Sequence, residues 1–226
     1  MNKIVKNLKN TKEIIDSIRF DAHWYRRVFH TFSASFVVYY MLPNEGFFNL
    51  LKILLPIILV LSAIILEILR VSGKISGRHF FGLRMYEQKR LGSYFFFGIG
   101  VFILLMFFPQ QIALPCILCA CISDPILGEL RRNLSKKRVI FNGFMICFII
   151  FFISWYKADI ITMITISIIG ASFALIGEMK KFFWLDDDFM IQMLPAIVIF
   201  IIFLILKNYG VDIMPEPVIY PFEMIW

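Results

Sequence analysis

Apolar residues run through this chain in long blocks separated by short polar breaks, and most blocks are too continuous to be one face of a water-exposed helix. A helix rising 1.5 Å per residue needs roughly 20 mostly apolar residues to cross a hydrocarbon layer. Reading for such stretches gives seven candidate spans: 28–43, 47–69, 93–108, 110–127, 139–156, 160–177 and 189–206. The third and fourth are separated only by Pro109, Gln110 and Gln111, and the fifth and sixth only by Lys157, Ala158 and Asp159, so each pair reads as a tight hairpin. The expectation is an all-α, polytopic helical membrane protein with about seven transmembrane helices.

The first residues break this pattern. Ile4, Leu8, Ile15 and Ile18 recur at helical spacing while Lys3, Lys6, Lys9 and Lys12 lie among polar residues. That suits an amphipathic helix over residues 1–24 lying on anionic lipid head groups; a frayed basic tail is the alternative. The stretch lacks the early apolar core and cleavage site of a signal peptide. Residues 25–210 then form a single transmembrane domain, and 211–226 a tail on the far side. No internal repeat or low-complexity tract suggests a second domain.

Composition agrees with the spans. Hydrophobic residues make up 60% of the chain and charged residues 17%, against roughly 25% charged in an average soluble domain. The charge is also unevenly placed. The connections on the N-terminal side of a seven-span topology, residues 1–27, 70–90, 131–138 and 178–188, hold 20 of the 23 Lys and Arg. By the positive-inside rule the N terminus is cytoplasmic and the tail external. The net charge of +7 is then one cytoplasmic surface suited to anionic lipid or nucleotide phosphate. No compact basic motif argues for nucleic acid.

The acidic residues gather on the same side. Glu67 falls at that end of the second span, Asp124 near that end of the fourth, Glu178 at that end of the sixth, and Asp186, Asp187 and Asp188 at the start of the seventh, while His30 lies one turn into the first. Ionisable groups inside a span are costly unless paired or wetted, so each is a functional candidate. Each also has a plainer reading. Glu67 and Arg70 are spaced for an intrahelical ion pair, Asp124-Pro125 breaks its helix, and one aspartate of the triplet serves as a helix cap. Carboxylates collected at a wet, basic membrane edge are what Mg²⁺ with phosphate requires, since Mg²⁺ takes oxygen ligands and bridges phosphates to one or two carboxylates.

Other chemistries have less behind them. Cys116, Cys119 and Cys121 lie in an apolar span with no second Cys/His pair at zinc spacing and read as small packing residues; Cys147 stands apart. Gly170 and Ala174 are spaced for close helix packing. Neither a P-loop nor a dinucleotide-binding glycine pattern is present.

The ordered polar marks do resemble a known family. RRVFH at 26–30, EILR at 67–70, RMYE at 84–87 with SYFFFG at 93–98, SDPILGE at 123–129, and GE at 177–178 followed by LDDD make the chain similar to the CTP-dependent polyprenol kinases, which include dolichol kinase, phytol kinase and CTP-dependent diacylglycerol kinases. That family is related to the phosphatidate cytidylyltransferases. The resemblance implies a multi-pass enzyme whose cytoplasmic face phosphorylates a membrane lipid alcohol with CTP and Mg²⁺. Phosphoryl transfer needs neutralised oxyanions and a base, which leads us to expect catalytic work for Asp124 and Glu178, metal binding by Asp124, Glu178, Asp186 and Asp187, and phosphate binding by Arg26, Arg27, His30, Arg70, Arg84 and Gly128, with Glu67 and Glu87 as further candidates. CDP-lipid synthesis and a non-enzymatic carrier or scaffold are the alternative readings. The chain departs from the family's pattern in two places: Ser123 replaces the glycine before the aspartate and Pro125-Ile126-Leu127 the small residues after it, and Asp188 stands where the family carries asparagine with Gln192 where it carries a proline. From the latter, Asp188→Asn is expected to be the mildest change in the triplet. The lipid and the oligomeric state are not specified by these residues.

Overall fold

The computed structural model describes residue 28 and residues 30–75, 90–179 and 185–222. These residues are helical almost throughout. Five helices are long and apolar enough to cross a membrane: Gly46–Val71 (α1), a continuous run Gln110–Asn133, Lys136–Ser154 (α5), Ile160–Met179 (α6) and Asp187–Asn208 (α7). The run Gln110–Asn133 comprises Gln110–Leu118 (α3) and Asp124–Asn133 (α4) with a π-turn, Cys119–Ser123, between them. The chain is thus an all-α, multi-pass membrane protein.

Two of the seven expected spans take shorter forms. Ser93–Phe107 (α2) is apolar but has only 15 residues. The first expected span is helical from 30 to 41, winding as a 3-10 helix over Ser33–Val37 before a single α-turn, Val38–Met41. Ser33, Ser35, Val37 and Val38 supply the local reason: serine competes for backbone hydrogen bonds and β-branched side chains lose rotamers in an α-helix.

The expected break at Asp124-Pro125 is absent. A proline inside a helix removes one backbone donor and crowds the preceding turn. Here the turn ahead of it widens into the π-turn, Pro125 falls in the first turn of α4, and the axis continues. π-Turns of this kind recur at functional sites.

The run from Gln110 to Asn133 is central, with 67% of its most apolar window buried, whereas α1 is peripheral, with 17% of its window buried. Small side chains permit the central position. Ala113, Cys116, Cys119 and Cys121 have no exposed surface, and all four cysteines are free thiols serving as compact packing groups. Cys147 joins them across the bundle, its thiol 3.4 Å from the Ser123 hydroxyl.

α6 packs along both α5 and α7, and α2 and α3 flank α7. The expected close packing at Gly170 is present: a Cβ there would lie 2.6 Å from the Phe151 ring. At the Gly177 position a Cβ would collide with the Met190 backbone carbonyl, so only glycine lets the end of α6 reach the start of α7.

The chain order sends successive helices in opposite directions, giving the bundle two distinct rims. At one rim lie His30, the end of α1, the starts of α2 and α7, and the ends of α4 and α6. The other is tied by side chain to backbone bonds. Trp155 Nε1 donates to the Gln111 carbonyl at 2.8 Å, Gln111 Nε2 donates to the Pro215 carbonyl at 2.6 Å, and Gln110 Oε1 accepts from the Val218 and Ile219 amides. The segment after α7 therefore lies back across the bundle, and the Phe222 amide reaches the Met41 carbonyl at 2.8 Å.

Candidate functional site

Four chain segments deliver ionisable groups to the first rim. α7 begins there because Asp186 caps it: Asp186 Oδ1 accepts the Asp188 amide at 3.2 Å. Asp187 and Asp188 follow in the first turn, where the helix dipole favours negative charge. Capping thus accounts for Asp186 and leaves the other two carboxylates to other work. Carboxylate oxygens of Asp186, Asp187 and Asp188 lie within 4.8 Å of one another.

Asp188 points into the protein and is 1% exposed. There it meets His30 from the first apolar segment, with Nε2 3.8 Å from Asp188 Oδ2. The other ring nitrogen, Nδ1, lies 4.0 Å from Asp124 Oδ2 at the start of α4. One ligating atom from each of His30, Asp124 and Asp188 falls within a 4.8 Å group. The imidazole is 2% exposed and its ring centroid lies 4.9 Å from that of Phe97, so α2 supplies the apolar wall behind it.

Glu178, 5% exposed at the end of α6, arrives through the Gly177 contact. Its Oε1 accepts from Arg131 on α4, while Oε2 is buried and among the described residues has no hydrogen-bond partner. A buried carboxylate oxygen without a donor is costly. Together with the carboxylates of Asp124, Asp186, Asp187 and Asp188 and the His30 imidazole at the same rim, it fits a hard divalent cation with oxygen ligands.

Asp186 sits just ahead of the last span, where burial, then the hydrogen bond its protonated carboxyl donates to Asp187, then the Asp188 charge push it up to about 8. Carboxylates crowded this closely resist simultaneous ionisation.

Arg131 was not singled out from sequence: it reads there as one of a basic run, and its pairing depends on how α4 meets α6. Gln192, marked in the sequence only as standing where the resembling family has a proline, is fully buried one turn beyond Asp188; its Nε2 donates to the Asp188 carbonyl at 2.8 Å, and a Cβ at Gly100 would lie 3.0 Å from its Oε1.

Glu67 and Arg70 form the ion pair that their spacing allows. Arg70 donates to both Glu67 oxygens, at 2.8 and 2.6 Å, and also to the Arg90 carbonyl. Glu67 additionally accepts from the Gly92 amide at 2.6 Å and from the Tyr94 hydroxyl. Four donors on one fully buried carboxylate tie the end of α1 to the start of α2. Gly128 lies on α4 beside open space. Arg26, Arg27, Arg84, Glu87 and the amphipathic N-terminal stretch lie outside the described residues.

Comparison of the chain with protein-family models, with curated proteins and with solved structures finds no match, and the chemistry of the rim rests on its own geometry.

Proposed function

We propose that this protein is a CTP-dependent kinase that phosphorylates the hydroxyl of a membrane lipid alcohol, of polyprenol or dolichol type, at the cytoplasmic face of the membrane. The observation that carries the proposal is the His30–Asp124–Asp188 group, with Glu178, Asp186 and Asp187 on the same rim. Acid–base and metal-ligating groups gathered at one rim are what phosphorylation of a lipid hydroxyl at a membrane–water boundary requires. CTP and the class of alcohol come from the motif resemblance.

Asp124, Glu178, Asp186, Asp187 and Asp188 would hold Mg²⁺, which when bound supplies charge neutralisation for the transferred phosphate. The protein's own groups do the rest. Asp124 is partly exposed at the start of α4 and takes the proton of the lipid hydroxyl. The hydroxyl oxygen forms its bond to the terminal phosphorus of CTP as the bridging P–O bond breaks, leaving CDP. His30 stands between Asp124 and Asp188, 4.0 and 3.8 Å from their carboxylate oxygens, where a protonated imidazole would offer its charge to both. Arg26, Arg27 and Arg84 clamp phosphate oxygens, and the open space at Gly128 leaves room for a phosphate to approach the backbone.

The test incubates purified protein in detergent with Mg²⁺, CTP or ATP, and a panel of lipid alcohols and lipid phosphates. The expected products are a lipid phosphate and CDP. Formation of CDP-lipid and pyrophosphate would instead assign a cytidylyltransferase, and absence of turnover with every pair overturns the enzyme reading.

A further inference from the structure

The rim opposite the acidic group holds a cavity with a positively charged wall. It has a volume of about 290 Å³ and opens between the start of α1, the helical turn before it and the returning C-terminal segment; its lining includes Tyr40, Asn44, Asn49, Lys52, Ile53 and Tyr220. Among the described residues that line it, Lys52 is the only charged one, and it is 8% exposed. Its ammonium donates to Asn44 Oδ1 at 2.7 Å and stands 5.4 Å from the centroid of the Tyr39 ring. Among the described residues no carboxylate pairs with it.

A buried ammonium bonded to one neutral amide has donors to spare and no counter-charge, a costly state in a membrane protein unless a ligand completes it. Tyr40, 9% exposed, forms part of the same wall; its hydroxyl is enclosed in the protein and, among the described residues, has no hydrogen-bond partner, so Lys52 is the donor that faces the cavity. The amides of Asn44 and Asn49 add further donors. The cavity therefore presents donors and positive charge and lacks any acid of its own, which is the complement of an oxyanion.

Its size and position narrow the ligand. The volume lies at the lower end of small-molecule pockets, enough for a head group and not for a chain. Ile53 lines the cavity and is 45% exposed, and Leu50 and Leu54 beside it are also exposed on α1. An apolar tail leaving the cavity would meet this lipid-facing surface directly.

We propose that this cavity binds a phosphate oxyanion through Lys52, on the membrane face opposite the acidic group, the phosphate being carried by a lipid head group or by a soluble ion. The inference is independent of the kinase reading. The full chain is reconstituted in phosphatidylcholine nanodiscs with the divalent-ion chelator EDTA. Phosphatidylglycerol retention is measured by native mass spectrometry, and inorganic phosphate binding by calorimetry. Wild-type protein is expected to bind one of the two probes. Lys52→Met should weaken that binding about tenfold or more, and Lys52→Arg, which keeps the charge, should retain most of it. Phosphatidylglycerol retention without a phosphate response assigns a lipid head group; binding of inorganic phosphate assigns a soluble ion. Binding of neither probe, or unchanged affinity in Lys52→Met, overturns the site. Should Lys52→Met fail to reconstitute as a monodisperse species, Lys52→Gln decides in its place.

Discussion

His30 Nε2 lies 3.8 Å from Asp188 Oδ2, joining the first apolar segment to the last helix at a nearly water-free point. The motif resemblance puts asparagine at that position and makes Asp188→Asn the mildest of the triplet. Burial and the facing imidazole reverse this order. On the kinase proposal, Asp188→Asn should lower turnover by about 100-fold or more, because it removes the charge that faces His30 and that a cation held at this rim would meet. Asp187→Asn, at a partly exposed position, should lose less and recover at high Mg²⁺. Rates measured across a Mg²⁺ titration check the ranking, and full turnover in Asp188→Asn would remove it from the site.

Asp186 supplies a pH dependence. Its carboxyl, raised from an ordinary 3.8 to about 8 in the folded protein, holds its proton more tightly folded than unfolded. Its contribution to stability is complete below the ordinary value and is lost as pH rises through about 8. Thermal unfolding in detergent with EDTA should therefore shift to lower temperature between about pH 5 and about pH 9. Asp186→Asn should flatten the decline, and Mg²⁺ should oppose it at the alkaline end by favouring the ionised form. A metal-free protein that grows more stable across this range through Asp186 would contradict the assignment.

The spans were legible because lipid exposure writes itself as uninterrupted apolarity, and the rim was legible because carboxylates inside such runs are rare. The 3-10 winding at Ser33–Val37 and the π-turn before Pro125 were not. Each reflects a local conflict settled by packing, and hydropathy does not register packing. Glu67 shows the same limit: its spacing to Arg70 announced an ion pair, but the Gly92 amide and Tyr94 hydroxyl that complete it come from α2. Asp188 outranks its neighbours for a rotational reason, since one residue along α7 turns a side chain by about 100° and decides which of three aspartates faces inward.

If Glu67 is a structural tie, its removal should lower stability first. Glu67→Gln leaves Arg70 buried without its counter-charge, a loss of about 3–5 kcal/mol, whereas Tyr94→Phe removes one donor and costs about 1 kcal/mol. Temperatures of half-inactivation and of aggregation should fall together in Glu67→Gln. A variant of normal thermal stability with no turnover would instead place Glu67 in the chemistry.

The two rims should label from opposite sides of the membrane. All four native cysteines are buried, so single cysteines at exposed Ser135, Asn44 and Glu216 can be read with a membrane-impermeant thiol reagent in intact cells. Asn44→Cys and Glu216→Cys should react from outside and Ser135→Cys only after permeabilisation, the direction set by the basic connections. Equal labelling of Ser135→Cys and Glu216→Cys in sealed cells would refute the alternating order of the helices.

Gly177 and Gly128 separate construction of the site from its use. An alanine Cβ at Gly177 collides with the Met190 carbonyl, and a backbone carbonyl in the interior of α7 cannot rotate aside as a flexible side chain would. The end of α6 must then withdraw from the start of α7, carrying the adjacent Glu178 away from Asp188. Gly177→Ala should therefore lose about 1–3 kcal/mol of stability and nearly all activity together. Gly128→Ala meets nothing within 4 Å and lies within a helix, where alanine is favoured over glycine by about 1 kcal/mol. On packing alone it should be neutral or slightly stabilising. If a phosphate approaches the backbone at Gly128, however, the added methyl occupies that approach, and KM for the nucleotide should rise while the unfolding temperature holds or increases. Thermal unfolding and nucleotide KM measured on both variants resolve the two effects. An unchanged KM in Gly128→Ala would take that position out of the phosphate site, and a stable, fully active Gly177→Ala would show that the α6–α7 contact does not hold the rim together.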